Sequence, residues 1–141
     1  MEGKPILITL NASSSEGEED SMNLMTSGEL FEQQDGVLLR YEESIDETQP
    51  PQQVELTLQS DRVTMNRTGA VEAKMIFQKG QRYESLYHTP YGTMEMAIYC
   101  TKARCHLAEK GGDMQLQYQL DLGGQYVAMH VMNLQYVVRN A

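Results

Sequence analysis

Residues 114–136 read MQLQYQLDLGGQYVAMHVMNLQY, and this stretch decides the fold class of the chain. From Met114 to Leu122, apolar side chains occupy every second position and alternate with glutamines and an aspartate. A period of two is typical of a β-strand that buries one face. Gly123-Gly124 then supplies a two-residue turn, and the segment that follows is apolar on both faces for much of its length. The stretch therefore predicts an antiparallel β-hairpin.

The same alternation is found along the rest of the chain, and no long amphipathic helix competes with it. Residues 70–79 are ambiguous, because Ala, Glu, Lys and Met favour a helix. Their flanking glycines and the alternation of Met75 and Phe77 favour a strand. The eleven predicted strands are Lys4–Asn11, Met22–Gln33, Val37–Glu43, Val54–Gln59, Arg62–Asn66, Glu72–Gln78, Arg82–Thr89, Thr93–Thr101, Ala103–Leu107, Met114–Asp121 and Gln125–Arg139.

Short links with turn residues, such as Asp35-Gly36 and Gly111-Gly112, separate successive strands and make neighbours antiparallel. Many such strands in a row form a sandwich or close into a barrel, and closure removes exposed edges. Runs of about twelve residues are long for a sandwich and suit strands that bend around a barrel. The sequence predicts one all-β domain over residues 1–141, an up-and-down antiparallel barrel of about eight to eleven strands, with residues 13–20 as a mobile acidic loop.

The charge of the chain narrows the classes of partner. There are 20 acidic and 11 basic side chains, a formal net charge of −9. The imbalance lies in residues 1–50, with 12 acidic and two basic side chains, whereas residues 51–141 are close to neutral at +1. Phosphate binding requires clustered Lys and Arg, so nucleic acid and anionic membranes are not expected as partners. No run approaches the ~18 apolar residues of a membrane span, and no signal-peptide core is present, which favours a cytoplasmic protein.

The sequence shows no arrangement that is typical of catalysis or metal binding. It contains no nucleophile elbow, phosphate loop, zinc-protease motif or dinucleotide-binding glycine motif. Cys100 and Cys105 are spaced too widely for the usual zinc pattern and have no second pair, so they are expected to be thiols. Glu42-Glu43 are expected to be solvated charge. We expect neither an enzyme nor a protein with a metal or other cofactor.

Two segments carry the polar and aromatic side chains best suited to a ligand, the end of the strand near Arg67 and residues 82–92. An arginine can form two parallel hydrogen bonds with a carboxylate, and tyrosines can line an apolar cavity with their polar tips. A structural explanation stays open: both arginines pair with surface acids, the tyrosines pack, and residues 90–92 form a turn. The candidate ligand-binding residues are Arg67, Arg82, Tyr87, His88 and Tyr91.

The chain combines several short motifs, none diagnostic alone, namely Gly28-Glu-Leu30, Asp35-Gly36, Leu39-Arg-Tyr-Glu-Glu43, Val63-Thr-Met-Asn-Arg-Thr-Gly-Ala70, Phe77, Tyr87, Pro90-Tyr-Gly92, Asp121-Leu-Gly-Gly124 and Leu134. Because it combines these motifs, the chain resembles the YwiB-like family of uncharacterised bacterial proteins over roughly residues 5–138. The resemblance implies a calycin-type, lipocalin-like β-barrel in the cytoplasm of a Gram-positive bacterium, and it implies no established activity and no catalytic residues. Calycins often bind small apolar molecules, but this analogy of fold does not determine function.

These observations predict a non-catalytic barrel that binds a small apolar or anionic ligand. Nine methionines besides Met1 suit an adaptable cavity, although methionine more often serves as plain core filling. The alternative is a protein–protein interaction module with a filled barrel, in which the last strand forms a homodimer face or the acidic N-terminal third meets a basic partner. Whether Arg67 or Arg82 points inward stays open, because a register shift of one residue exchanges the two faces of a strand.

Overall fold

The computed structural model describes residues 3–14, 17–43 and 51–139. Alternating apolar residues form β-strands throughout this part of the chain, and no helix occurs in it. The ten strands are β1 Lys4–Ser14, β2 Gly17–Gln33, β3 Gly36–Glu43, β4 Gln52–Leu58, β5 Arg62–Thr68, β6 Ala73–Gln78, β7 Arg82–Thr89, β8 Gly92–Leu107, β9 Gly111–Leu122 and β10 Gln125–Val138.

All ten strands belong to one antiparallel sheet in the order β6-β5-β4-β3-β2-β1-β10-β9-β8-β7. The first and last strands pair with each other from Ile6 opposite Val138 to Ser14 opposite His130. The sheet curls until its edge strands β6 and β7 come into contact. The predicted fold class is confirmed: the chain forms an all-β, nearly closed, antiparallel barrel with up-and-down topology.

The seam between β6 and β7 is where closure is incomplete. The N–H of Gln81 donates to the carbonyl of Gln78 over 3.0 Å at the connecting turn, and Glu72 and His88 exchange two backbone hydrogen bonds at the far end. Between these tied ends, β6 and β7 are not hydrogen-bonded neighbours in the described sheet. A surface groove lies over this seam and includes Arg67 in its lining.

Inward-facing apolar side chains pack together at one end of the barrel. Ile6, Leu39, Leu58, Val63 and Met114 come from five strands, and each is fully shielded from solvent. Burying a side chain of this size contributes about 1.5–3 kcal/mol. We call this the closed end. An internal cavity would therefore lie at the opposite end of the barrel.

The predicted strands 93–101 and 103–107 are in fact one strand, β8, so eleven predicted strands become ten. A β-bulge between Cys100 and Lys102 shifts the register of β8 against β9. Because a bulge adds one residue without ending the strand, the inward positions change from even to odd numbers there, and the alternation reads as a break. Within the ambiguous window at residues 70–79 the predicted strand is confirmed, and it forms β6 from Ala73 to Gln78.

The predicted acidic loop over residues 13–20 is wrong in extent. β1 continues through Ser14 and β2 begins at Gly17, while positions 15 and 16 lie outside the described residues. The hairpin continues past a register shift between Ala12 and Ser14. Backbone pairing in a ladder does not depend on the polarity of the side chains, so an acidic composition does not by itself end a strand.

The predicted turn at Gly123-Gly124 is confirmed, and both glycines have positive φ values, 61° and 81°. The predicted turns at Asp35-Gly36 and Gly111-Gly112 are displaced along the chain. Between β2 and β3 the turn is Gln34-Asp35, and Gly36 already belongs to β3. A Cβ on Gly36 would overlap the carbonyl oxygen of Leu58, so this glycine allows the close approach of β3 and β4. Gly111-Gly112 likewise begins β9.

Candidate functional site

Three polar side chains meet inside the barrel at the end opposite the closed end. Glu43 ends β3, Gln52 begins β4 and Arg67 lies one residue before the end of β5. Each continues the inward parity of its strand, as in the series Val63, Met65 and Arg67. Because antiparallel neighbours run in opposite directions, the end of β3 and the start of β4 lie side by side. We call this the polar end of the barrel.

An ion pair between Arg67 and Glu43 is the centre of the polar end. The Nη1 of Arg67 donates to Oε2 of Glu43, and the hydroxyl of Tyr41 donates to Oε1 of the same carboxylate over 3.1 Å. The Arg67 and Glu43 side chains are only 19% and 14% exposed. Each carboxylate oxygen therefore has a hydrogen-bond donor, and the two opposite charges cancel inside the barrel.

The surroundings of the ion pair hold the arginine and the tyrosine protonated. Burial alone would lower the pKa of Arg67, but the charge and the hydrogen bond of Glu43 raise it above its usual value. Burial, together with the negative charge of Glu43, raises the pKa of Tyr41 well above its ordinary value. Both groups therefore remain hydrogen-bond donors at neutral pH.

Tyr118 forms the aromatic floor beside this pair. Its ring packs against Phe77, with ring centroids 4.8 Å apart, and stacks on His130 at 5.2 Å. Burial raises the pKa of Tyr118 to about 12, although the nearby charge of Arg67 acts in the opposite direction. The phenol is thus neutral and able to donate a hydrogen bond.

A cavity of about 300 Å³ lies at the polar end. Its lining divides into two chemical kinds, so one part of a ligand would meet hydrocarbon and another part would meet hydrogen-bonding groups. The apolar lining is Val71, Met75, Met96, Leu120 and Leu122, and the polar lining is Glu43, Gln52, Arg67, Tyr87 and Tyr118.

Two of the five candidate residues, Arg67 and Tyr87, line this cavity. Arg67 is therefore the inward arginine, and Arg82 is the outward one. The structural explanation is also partly right, because Arg67 pairs with an acid of its own chain, although that acid lies inside the barrel.

The other three candidates, Arg82, His88 and Tyr91, lie outside this cavity, so their role in ligand binding stays a prediction. Arg82 pairs on the surface with Glu84 at 3.1 Å and Asp121 at 3.5 Å. Nδ1 of His88 lies 3.0 Å from the hydroxyl of Thr93, on the exposed face of β7. Tyr91 is 98% exposed in the turn before β8. For Arg82 and His88 the cause is strand alternation, since β7 directs its odd-numbered residues inward and its even-numbered residues outward.

Glu43, Gln52 and Tyr118 belong to the cavity but were not among the predicted site residues. Each shares the parity of buried apolar neighbours on its own strand, as Glu43 does with Leu39 and Tyr41. The expectation that Glu43 is solvated charge is wrong, because only Glu42 of the adjacent pair is exposed. The sequence pattern that could identify such residues is a polar side chain at a position where the alternation of the strand predicts a buried apolar one.

The described residues contain no group of three or more His, Cys, Asp or Glu side chains that could hold a metal ion. Cys100 and Cys105 are buried free thiols. Burial raises the pKa of Cys105 to about 12, which keeps its thiol protonated at neutral pH. Within residues 3–14, 17–43 and 51–139, no helix has the length and apolar character needed to cross a membrane.

Comparisons with known proteins agree with the fold and leave the ligand open. A family model described as "Domain of unknown function (DUF1934)" matches residues 6–134. The chain is similar to the crystal structure of the ywiB protein from Bacillus subtilis, with a TM-score of 0.85 and 21% identity over 98% of this chain and 94% of that chain. No curated protein matches the chain. The resemblance to the YwiB-like family is confirmed.

Proposed function

The chain belongs to the family described as "Domain of unknown function (DUF1934)", and we propose that it is a non-catalytic barrel that binds a small ligand at its polar end. The ligand has an apolar body and a polar or anionic head. The observation that carries this proposal is the divided lining of the cavity, with methionine and leucine on one side and the Arg67–Glu43 pair on the other. The closed end restricts the ligand to the other half of the barrel.

The size and chemistry of the cavity support this proposal. Its volume of about 300 Å³ lies at the lower end of the range for small-molecule sites, so the ligand is small. Met75 and Met96 are flexible and can adapt to an apolar body. The analogy to calycin barrels agrees with an internal ligand, but it is an analogy of fold.

The proposal also specifies that the site carries out no reaction and that the protein works in the cytoplasm. Both carboxylate oxygens of Glu43 are engaged by Arg67 and Tyr41, which makes this group a poor general base. The two buried free thiols are in keeping with a reducing compartment. The acidic net charge of −9 supports a partner other than nucleic acid.

Filling the cavity is expected to weaken ligand binding strongly while the barrel still folds. In Leu122→Trp, the indole would occupy the space beside the apolar lining, and we expect at least a tenfold weaker binding of octanoate and octanamide by isothermal titration calorimetry. Arg82→Gln is the matched control, since Arg82 lies outside the cavity, and it is expected to bind both probes like the wild type. Absence of binding by the wild-type protein would contradict the proposal.

A homodimer is the second candidate function, and an exposed apolar patch favours it. Met25 on β2 and Val137 on β10 are 68% and 58% exposed on the outer face. Leu7 lies opposite Val137 and on the same face of β1 as Thr9, which lies opposite Met25. Light scattering at high protein concentration tests this candidate: Val137→Lys should dissociate a dimer, whereas a strict wild-type monomer would exclude it.

A further inference from the structure

The net charge at the polar end places a restriction on the head group of a ligand. One positive and one negative side chain face each other, and both are largely shielded from water. Within the described residues, the cavity lining has Arg67 and Glu43 as its charged side chains. The cavity is therefore close to electrically neutral before any ligand enters.

We propose that Glu43 makes the site selective for uncharged head groups that accept hydrogen bonds, such as the carbonyl of an amide or ester, over carboxylates. This inference rests on the proposed function and specifies the chemical class of its ligand. An incoming carboxylate would have to share Arg67 with Glu43, which would place two negative charges around one positive charge. Like charges at such distances repel strongly where water is scarce.

A neutral acceptor meets complementary groups in the same place. Nη1 of Arg67 is bonded to Glu43, but a guanidinium carries five N–H donors in all, so the other nitrogens can donate to a ligand. Tyr118 also lines the cavity, and its phenol carries a donor that lies close enough to Arg67 to feel the charge of that arginine. A carbonyl oxygen accepts from these groups without adding charge, while the hydrocarbon tail packs against the apolar lining.

The inference predicts that wild-type protein binds octanamide roughly tenfold more tightly than octanoate, as measured by isothermal titration calorimetry at neutral pH. The two probes have the same chain length and differ in the charge of the head. Glu43→Gln removes the competing carboxylate and leaves Arg67 to pair with a ligand, so this variant is expected to prefer octanoate.

Glu55→Gln is the matched control for Glu43→Gln. Glu55 on β4 pairs with Arg40 on β3 at the outer face of the barrel, so its substitution makes the same change in charge away from the cavity. It is expected to keep the wild-type preference for octanamide.

The possible results separate this inference from the proposed function. If wild-type protein binds octanoate as tightly as octanamide or more tightly, the selectivity is overturned while ligand binding stands. If Glu43→Gln keeps the wild-type preference with a folded barrel, the role of Glu43 is overturned. If Glu43→Gln does not fold, the relative affinity of the wild-type protein for octanamide and octanoate still decides whether the site is selective for an uncharged head group. If neither probe binds to the wild type, the proposed function itself fails.

Discussion

Replacing Arg67 by methionine is expected to lower the free energy of unfolding by about 3 kcal/mol, because it breaks a largely buried ion pair. The substitution leaves Glu43, whose side chain is only 14% exposed, without its counter-ion. An uncompensated charge inside a protein is costly, because neither water nor an opposite charge stabilises it. Urea denaturation followed by circular dichroism measures the effect as a lower transition midpoint at unchanged slope.

Two further variants identify the cause of this loss. Arg82→Met removes an arginine whose side chain is 51% exposed, and surface ion pairs contribute at most about 1 kcal/mol, so little change is expected. The double variant Arg67→Met with Glu43→Gln removes both charges and should recover part of the lost stability. Equal losses for Arg67→Met and Arg82→Met would contradict an internal position of Arg67.

Replacing Phe77 by alanine is expected to cost about 3–5 kcal/mol, because it removes a fully buried ring and leaves a cavity in its place. Phe77 also packs on Tyr118 with ring centroids 4.8 Å apart, so the aromatic floor of the ligand cavity would lose its support. The loss is measured as the decrease in the free energy of unfolding in urea.

Tyr91→Ala is the matched control for this aromatic substitution. Tyr91 is 98% exposed, and exposed substitutions away from special features change stability by about 0.5 kcal/mol or less. A cost below about 1 kcal/mol for Phe77→Ala would show that the ring does not belong to a packed core.

The fold class follows from alternation in the sequence, because a period of two determines both strand and buried face. The points that alternation could not predict are those where the period is interrupted or where a glycine serves another purpose. The bulge near Cys100 reverses the parity within β8 and hides the continuity of the strand. Gly36 looks like a turn residue, but its role is the close approach of β3 to β4.

The sequence predicts two of the five polar residues that line the cavity. Arg67 and Tyr87 were identified as candidates, and Arg67 shares its parity with Val63 and Met65. Glu43 was missed because two adjacent acids look like solvated charge, although neighbours on a strand face opposite sides. The pairing of Arg67 with Glu43 depends on the register of β3, β4 and β5, which the sequence alone does not determine.

Methyl NMR of protein with ¹³C-labelled methionine methyl groups tests the ligand cavity most directly. Met75 and Met96 line the cavity, Met114 is buried at the closed end, and Met25 is 68% exposed on the outer face. On titration with octanamide we expect saturable shifts of the Met75 and Met96 signals, while Met25 and Met114 stay unchanged. Shifts confined to Met25, or no shift of Met75 and Met96 up to the solubility limit of the probe, would contradict a ligand site at the polar end of the barrel.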